Sequence, residues 1–217
     1  KRRTRAMIAR EKGLQPLADL LLSQKRLNQP RQATLQPYVN PAEGVPNAEA
    51  ALQGALDIVA ESWSEVAETR QWLLQQAMQF GKLVSKIKRG KKTAEGADKF
   101  EQYFDRQEAI RKIPGHRVLA ILRGVSEGIL RVGIDLDGPR ELSELKRRLV
   151  QNRQFEFFND LIQCATDCYE RLLLPATESA VLGQLKEKGD EEAIQVFGKN
   201  LHELLMAAPA GPRVTLG

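Results

Sequence analysis

Apolar residues recur every three or four positions over most of this chain, which is the spacing of helices that bury one face. The first long stripe follows Asn47, whose side chain is suited to cap a helix N-terminus, and ends at Gly81. Its clearest members are Leu52, Ala55, Leu56, Val59, Trp63 and Val66. The pattern becomes less regular further along, so we predict one helix over 47–80 with a bend near 62–64.

Two further stripes, in the last third of the chain, predict its longest helices. One consists of Phe158, Leu161, Ala165, Cys168 and Leu172, and the other of Ile194, Phe197, Leu201 and Leu204. We predict helices over 155–174 and 176–208, with both stripes buried against other helices. Pro175 lies between them, where it either breaks or bends the helical path or begins the second helix.

The hydrophobic period changes to two at two places, which indicates strands. Residues 129–136 alternate apolar and polar side chains, and a shorter strand is predicted at 83–88. Either strand alone would leave its backbone groups unpaired, so we expect the two to pair, in a direction that the sequence leaves open. Between them we predict one helix from Thr93 to about Phe104 and another from Pro114-Gly115 to about Gly128. The predicted fold is mostly α: a multi-helix domain with one small two-stranded β-sheet and long C-terminal helices.

Size and composition narrow the class of protein. With 217 residues, 42% of them hydrophobic, and a mean hydropathy of −0.40, the chain has the length and make-up of a soluble globular protein. No apolar stretch is long enough to span a bilayer and no secretory signal is visible, so we expect no membrane partner. The only two cysteines, Cys164 and Cys168, exclude a disulfide scaffold and favour a reducing, cytoplasmic setting.

Positive charge is concentrated in the middle of the chain. Residues 82–131 contain 13 Lys or Arg against 6 Asp or Glu, although the whole chain has a formal charge of only +5. Two clusters are candidate nucleic-acid-binding sites because clustered cations neutralise phosphates without reading bases. The first comprises Lys86, Lys88, Arg89, Lys91 and Lys92, and the second comprises Lys1, Arg2, Arg3 and Arg5. A merely solvated basic face is the alternative. The aromatic residues mostly fall on predicted core faces, so we expect only weak binding to an RNA or DNA backbone.

Three other features look like functional sites but have simpler explanations. A structural zinc site needs four ligands, and the sequence offers at most three, namely Cys164, Cys168 and His202. We therefore predict that both cysteines pack in the core. Asp135 and Asp137 suit a strand exit and turn better than a metal site. Since the sequence also contains no phosphate-binding loop or nucleophile elbow, we predict no catalytic residue, no metal and no cofactor.

Several ordered segments resemble one known family. The most specific is the block HR-x-LA-x-x-RG-x-x-EG-x-L, formed by His116-Arg117, Leu119-Ala120, Arg123-Gly124, Glu127-Gly128 and Leu130. Supporting segments occur in order at 1–6, 8–14, 81–86, 103–105 and 193–201. Together they resemble the bacterial Tex transcription accessory proteins, which are related in architecture to the eukaryotic elongation factor Spt6. Gly115 departs from the family pattern, in which a Ser is expected, so this helix lacks the expected side-chain cap.

The resemblance implies both a division of the chain and a role. Residues 1–40 would form a helical hairpin and connector, residues 41–208 a central helical body with the small sheet, and residues 209–217 the start of an RNase H-like YqgF domain, with 207–217 extended. The implied role is non-catalytic: nucleic-acid binding and contacts with RNA polymerase or other transcription factors. The alternative is a structural scaffold that packs against the remaining domains of its own chain and binds no nucleic acid. Nuclease activity would belong at most to the YqgF domain.

Overall fold

The computed structural model describes residues 3–207, and α-helices dominate this range. They are α1 (Arg5–Glu11), α2 (Gln15–Ser23), α3 (Arg31–Leu35), α4 (Ala48–Glu65), α5 (Ala67–Phe80), α6 (Gly115–Ser126), α7 (Gly138–Leu149), α8 (Phe158–Asp167) and α9 (Leu174–Met206). The strands are β1 (Lys82–Ile87), β2 (Asp105–Ala109) and β3 (Leu130–Asp135). The prediction of a mostly α fold with a small sheet and a long C-terminal helix is confirmed. Beyond residue 207, the extended segment predicted for 207–217 lies outside the described range.

The chain forms two compact units. Among the described residues, the first unit combines 3–81 with Asp135–Ala180, and the second combines Lys82–Ile134 with 181–207. Helix α4 is the centre of the first unit, where α1, α2 and α8 pack around it. Its fully buried side chains are Ala51, Ala55, Ile58, Val59 and Ala60. Asn47 caps α4 as predicted, because its side chain accepts a hydrogen bond of 2.8 Å from the Ala50 N–H.

Helices α4 and α5 correct the prediction of a single bent helix over 47–80. Helix α4 ends at Glu65, and Val66 adopts extended backbone angles (φ −63°, ψ 115°) before α5 begins. The Arg70 guanidinium donates to the Ser64 carbonyl oxygen, 2.5 Å away, and so satisfies one of the carbonyl groups left without a helical partner. The apolar spacing continues through this break, which is why the sequence pattern predicted a bend rather than an interruption.

Pro175 does not interrupt the helical path. Helix α8 continues through a π-helical segment, Cys168–Leu173, directly into α9, where Pro175 is the second residue. In a regular α-helix a proline ring collides with the carbonyl group four residues earlier. A wider π turn just before the proline relieves this collision. Pro175 lies in the first turn of α9, but the chain is already helical before it, so it neither breaks the helical path nor starts a separate helix.

The two C-terminal stripes differ in burial. On the first, Leu161, Ala165 and Cys168 are fully buried in the first unit, which confirms that part of the prediction. On α9, Ile194, Phe197, Leu201 and Leu204 are 70%, 68%, 42% and 73% exposed. The prediction that 194–204 packs into a core is therefore wrong. The spacing identifies a helix with one apolar face, but it contains no information on whether the same chain covers that face.

The sheet of the second unit has three strands, in the order β2-β1-β3. Strands β1 and β3 are neighbours as predicted, but the two-stranded prediction missed β2, which pairs antiparallel with β1. Its sequence, Asp-Arg-Gln-Glu-Ala, has no apolar alternation because it lies at the edge of the sheet and none of its side chains is fully buried. An edge strand of this kind leaves no hydrophobic signal.

The helix predicted from Thr93 to Phe104 is shorter and of a different kind. Tight turns follow β1, with Gly90 and Gly96 at φ 77° and 76°, and then a 3-10 helix spans Ala97–Tyr103. Phe100 and Tyr103 are 4% and 5% exposed, so they face inward as predicted. Since a 3-10 helix has a shorter repeat than an α-helix, this segment can place both rings inward over only seven residues.

Helix α6 is capped by a residue from another helix. The Gly115 N–H donates to the Oε2 atom of Glu192 on α9, 2.9 Å away. A Cβ atom on Gly115 would lie 2.3 Å from that oxygen and 2.8 Å from the Cα atom of Gly189. The N-cap residue of α6 is Pro114, and the carboxylate satisfies an N–H group of the first turn instead of a local side chain. This close approach requires a glycine at position 115. Gly128, with φ 75°, follows the other end of α6, as predicted.

Candidate nucleic-acid interface

Strand alternation positions the first two residues of the larger basic cluster. In β1, Leu83 and Ser85 face the interior of the second unit and are 2% and 1% exposed. The Ser85 hydroxyl donates to the Tyr103 carbonyl oxygen, 2.8 Å away, so the only polar side chain on the buried side is satisfied. Lys86 and Lys88 alternate with these residues and are exposed. The buried side of the strand thus determines that the two lysines face solvent.

The other three cations follow on a tight turn attached to the sheet. The Lys88 N–H donates to the Ile129 carbonyl oxygen at 2.8 Å, and the Lys91 N–H donates to the Lys88 carbonyl oxygen at 3.1 Å. Gly90 provides the left-handed backbone angle that the turn needs. All the members of this cluster are exposed, and we call it the basic turn: Lys86, Lys88, Arg89, Lys91 and Lys92.

The charges of the basic turn are not neutralised by ion pairs within residues 3–207. Some arginines elsewhere in the second unit are paired, for example Arg117 with Glu108 at 2.6 Å and Arg123 with Glu127 at 2.8 Å. Burial opposes ionisation of Glu108, but hydrogen bonds from its arginine partners outweigh it and lower its pKa. Asp105 lies opposite Lys86 in the β1–β2 register, but the two side chains do not form an ion pair. All five cations of the basic turn are therefore available to an anionic ligand.

The structure adds further cations that the sequence analysis did not assign to a site. Lys82 lies on β1, Lys99 on the 3-10 helix and Arg131 on β3, next to β1 in the sheet, and all three are exposed. Over residues 82–99 the chain has seven Lys or Arg against two acidic residues. The count of charged residues indicated that residues 82–131 as a whole are basic. Only the order of strands in the sheet shows that Arg131 lies on the strand next to β1, which leads into the basic turn.

The second predicted cluster is less suited to bind phosphate. Lys1 and Arg2 lie outside the described residues. Arg3 forms an ion pair with Glu11, and Arg5 lines a pocket of about 450 Å³ in the first unit together with the acidic residues Asp57 and Glu61. Burial raises the pKa of Asp57, and the nearby positive charges of Arg171 and Arg5 oppose that rise. Because acidic groups balance its cations, this cluster attracts anions less strongly than the basic turn.

The two cysteines pack in the core of the first unit, as predicted. The Cys164 and Cys168 thiols donate to the carbonyl oxygens of Leu56 and Ala60 on α4, at 3.3 and 3.2 Å. Burial raises the pKa of both thiols, that of Cys168 to about 12. Each thiol therefore serves as a small apolar side chain with one weak hydrogen bond.

Neither a metal cluster nor a membrane span occurs in the part of the chain that the structure describes. No three His, Cys, Asp or Glu side chains there are grouped closely enough to hold a metal ion. None of the helices there has the combination of length and apolar composition that crossing a membrane requires.

The family is decided by comparison with known proteins. A family model described as "Tex central region-like" matches residues 26–197. The chain belongs to the Tex family. It is 39% identical over 232 residues to Protein tex of Bordetella pertussis, and 40% identical over 225 residues to Transcriptional accessory protein Tex of Neisseria gonorrhoeae. All of this chain is covered in both comparisons. The resemblance to Tex stated from the sequence is confirmed.

A more distant relative extends the Tex comparison to eukaryotes. S1 RNA-binding domain-containing protein 1 of Homo sapiens is 26% identical over 227 residues, which include 99% of this chain. The chain corresponds to 29%, 28% and 22% of the lengths of the Bordetella, Neisseria and human proteins. It therefore spans less than a third of the Tex relatives that it matches.

Proposed function

We propose that this Tex-family chain is a non-catalytic part of a transcription accessory protein and binds the phosphate backbone of nucleic acid through the basic turn. The observation that carries the proposal is the set of five exposed cations, unpaired within residues 3–207, on a turn attached to the sheet. Exposed and unpaired cations can exchange bound counterions for phosphates, and the released counterions drive binding. Contacts with RNA polymerase or other transcription factors belong to the same proposal, which the name of the Neisseria relative supports.

The expected binding is weak, dependent on salt and tolerant of sequence. The basic turn provides point charges and flexible side chains, which fit a phosphate backbone and carry no code for base edges. Each lost phosphate contact should lower the slope of log affinity against log salt concentration by about 0.7–0.9.

The test is fluorescence anisotropy with labelled single- and double-stranded RNA and DNA over a salt series. The test variant changes Lys86, Lys88, Arg89, Lys91 and Lys92 to Gln. The control variant changes Lys25, Arg26, Arg153, Lys186 and Lys199 to Gln, which removes the same charge from exposed positions elsewhere. The first variant should bind every ligand more weakly and with a smaller salt slope, while the control should stay close to the parent. Equal loss in both variants would mean that net charge alone causes the binding.

A second candidate function is a structural scaffold that packs against further domains of a longer chain and binds no nucleic acid itself. The exposed apolar side chains of α9 favour it, because such a face is commonly an interaction surface. If the basic-turn variant binds all four nucleic acids as the parent does, the scaffold is the better explanation.

A further inference from the structure

Thr93 has a hydroxyl group that the fold of the second unit does not use. Serine and threonine occur at three described positions of this unit, namely Ser85, Thr93 and Ser126. The Ser85 hydroxyl donates to the Tyr103 carbonyl oxygen, and the Ser126 hydroxyl donates to the Arg123 carbonyl oxygen, each at 2.8 Å. The Thr93 hydroxyl has no hydrogen-bond partner within residues 3–207, and the residue is exposed. Its hydroxyl is therefore free to react.

Only tight turns hold the backbone around Thr93. The Lys91 N–H donates to the Lys88 carbonyl oxygen, and the Ala94 N–H donates to the Lys91 carbonyl oxygen, both at 3.1 Å. The second bond closes the turn that contains Thr93, and residues 88–96 belong to no helix or strand. A segment with so few backbone hydrogen bonds opens locally at a low cost in free energy. A modifying enzyme can therefore draw Thr93 into its own active site.

The cations that precede Thr93 indicate which class of enzyme fits this segment. Lys92 is one residue before it, Lys91 two residues and Arg89 four residues before it. Charged side chains select a partner of opposite charge and oppose one of the same charge. A protein kinase with an acidic groove for the residues before its acceptor hydroxyl therefore fits Thr93. Ser126 also has an arginine three residues before it, but it is held in α6 and its hydroxyl is already bonded.

We propose that Thr93 is a phosphorylation site and that phosphothreonine at this position stops the basic turn from binding nucleic acid. The inference rests on the proposed function and adds its regulation. In the reaction, the Thr93 hydroxyl oxygen forms a bond to the γ-phosphorus of a nucleoside triphosphate, and the bond from that phosphorus to the bridging oxygen breaks. The nucleoside diphosphate leaves, and the hydroxyl proton passes to a carboxylate of the kinase.

The phosphoryl group would place an anion among the cations of the basic turn. A phosphothreonine carries a charge of about −1.5 to −2 at pH 7 and three strong acceptor oxygens. Lys91 and Lys92 are close to it in sequence and can bind these oxygens. The five positive charges of the basic turn would thus be reduced to a net charge of about +3. Because the anion is attached to the same chain, it competes at a high effective concentration with the phosphates of a nucleic acid.

The first experiment tests the acceptor alone. The 217-residue chain is incubated with adenosine triphosphate and the catalytic subunit of a protein kinase that selects basic residues before its acceptor, and mass spectrometry locates the modified residue. Thr93 should be the main site in the parent. Thr93→Val should lose this modification, and the basic-turn variant should acquire it more slowly. No transfer to Thr93, or equal transfer to Ser126, would overturn the proposal.

The second experiment tests the effect on binding. A chain with phosphothreonine incorporated at position 93 is compared with the parent by fluorescence anisotropy with single-stranded RNA over a salt series. Loss of two phosphate contacts should lower the slope of log affinity against log salt concentration by about 1.4. The control carries phosphoserine at the exposed position of Ser143, on α7 of the first unit, and should bind as the parent does.

The two experiments separate the regulation from the proposed function. If the parent binds RNA and phosphothreonine at position 93 leaves the slope unchanged, the regulation is wrong and the proposed function stands. If the phosphoserine control weakens binding equally, added charge anywhere on the chain causes the loss, which also overturns the regulation. If the parent does not bind, the proposed function and its regulation both fail.

Discussion

Glu141, near the start of α7, is a buried carboxyl group with an unsatisfied oxygen. It is 2% exposed, and its Oε2 atom has no hydrogen-bond partner among residues 3–207. Burial raises its pKa above the ordinary value of 4.5; its own backbone N–H opposes the rise and the charge of Asp137 adds to it. The folded state therefore holds this proton more tightly than the unfolded chain. As a consequence, the free energy of unfolding should fall as the pH rises from below 4.5 through the raised pKa.

Replacing Glu141 by Met should stabilise the chain at neutral pH. Met is a good helix former of similar length and leaves no unsatisfied oxygen, so we expect a gain of about 1–2 kcal/mol at pH 7. The gain should shrink as the pH falls below the ordinary pKa, because the carboxyl group of the parent is then neutral. Urea unfolding at pH 7 and at a pH below 4.5 measures the gain in the free energy of unfolding. The control is Ser143→Ala, at an exposed position of the same helix. A gain that does not change with pH would mean that the charge of Glu141 is unimportant.

At the scale of elements, α8 and α9 have the same apolar spacing, but their apolar side chains contribute differently to the free energy of unfolding. Leu161 on α8 is fully buried, whereas Leu201 on α9 is 42% exposed. The hydrophobic contribution of a side chain depends on the area that it removes from water, not on its place in a pattern. The two leucines therefore provide a matched pair for measuring what burial contributes here.

We expect Leu161→Ala to lower the free energy of unfolding by about 2–5 kcal/mol, since it leaves a cavity in a closed core. Leu201→Ala should change it by less than about 1 kcal/mol, because the side chain is already partly in water and alanine favours the helix. Chemical denaturation of both variants makes the comparison. A large loss from Leu201→Ala would show that the end of α9 is covered in solution.

At the scale of the whole molecule, the end of α9 is a large exposed apolar face. The residues on this face are Ile194, Phe197, Leu201, Leu204 and Leu205, from 42% to 74% exposed. Val196 and Met206, 60% and 72% exposed, lie on other sides of the same helix. Faces of this kind drive association when nothing covers them. We therefore expect this 217-residue chain to self-associate as its concentration is raised.

Sedimentation velocity measures this association. Changing Phe197 to Glu and Leu204 to Lys should keep the chain monomeric at concentrations where the parent associates. Changing Gln184 to Glu and Gln163 to Lys, both at exposed positions, adds the same charges and should leave association unchanged. A parent that stays monomeric at every concentration would contradict the expectation.

Local signals in the sequence predicted much of this architecture. The Asn47 cap of α4, the end of α5 at Gly81, the end of α6, the cysteine packing and the β1–β3 pairing all follow from short-range patterns or from the need to pair backbone groups. Strand β2 was missed because its residues are polar, and the α9 face was misassigned because exposure depends on what surrounds a helix. The basic turn was visible as a run of cations. The packing of Phe100 on Gly124 was not, since these residues come together only when the 3-10 helix packs against α6.

The contact between Gly115 and Glu192 has a consequence for sequence variation within the family. A Cβ atom at position 115 and the carboxylate of residue 192 compete for the same space, and the carboxylate binds the N–H group of residue 115 only when that space is free. A relative with a larger residue at 115 has no room for this approach and cannot use the acidic residue in the same way, whereas a relative with glycine there can. The two positions should therefore covary across Tex proteins although 77 residues separate them. Glycine at 189 should accompany the close approach, because a Cβ atom there would lie 3.1 Å from the Gly115 carbonyl oxygen.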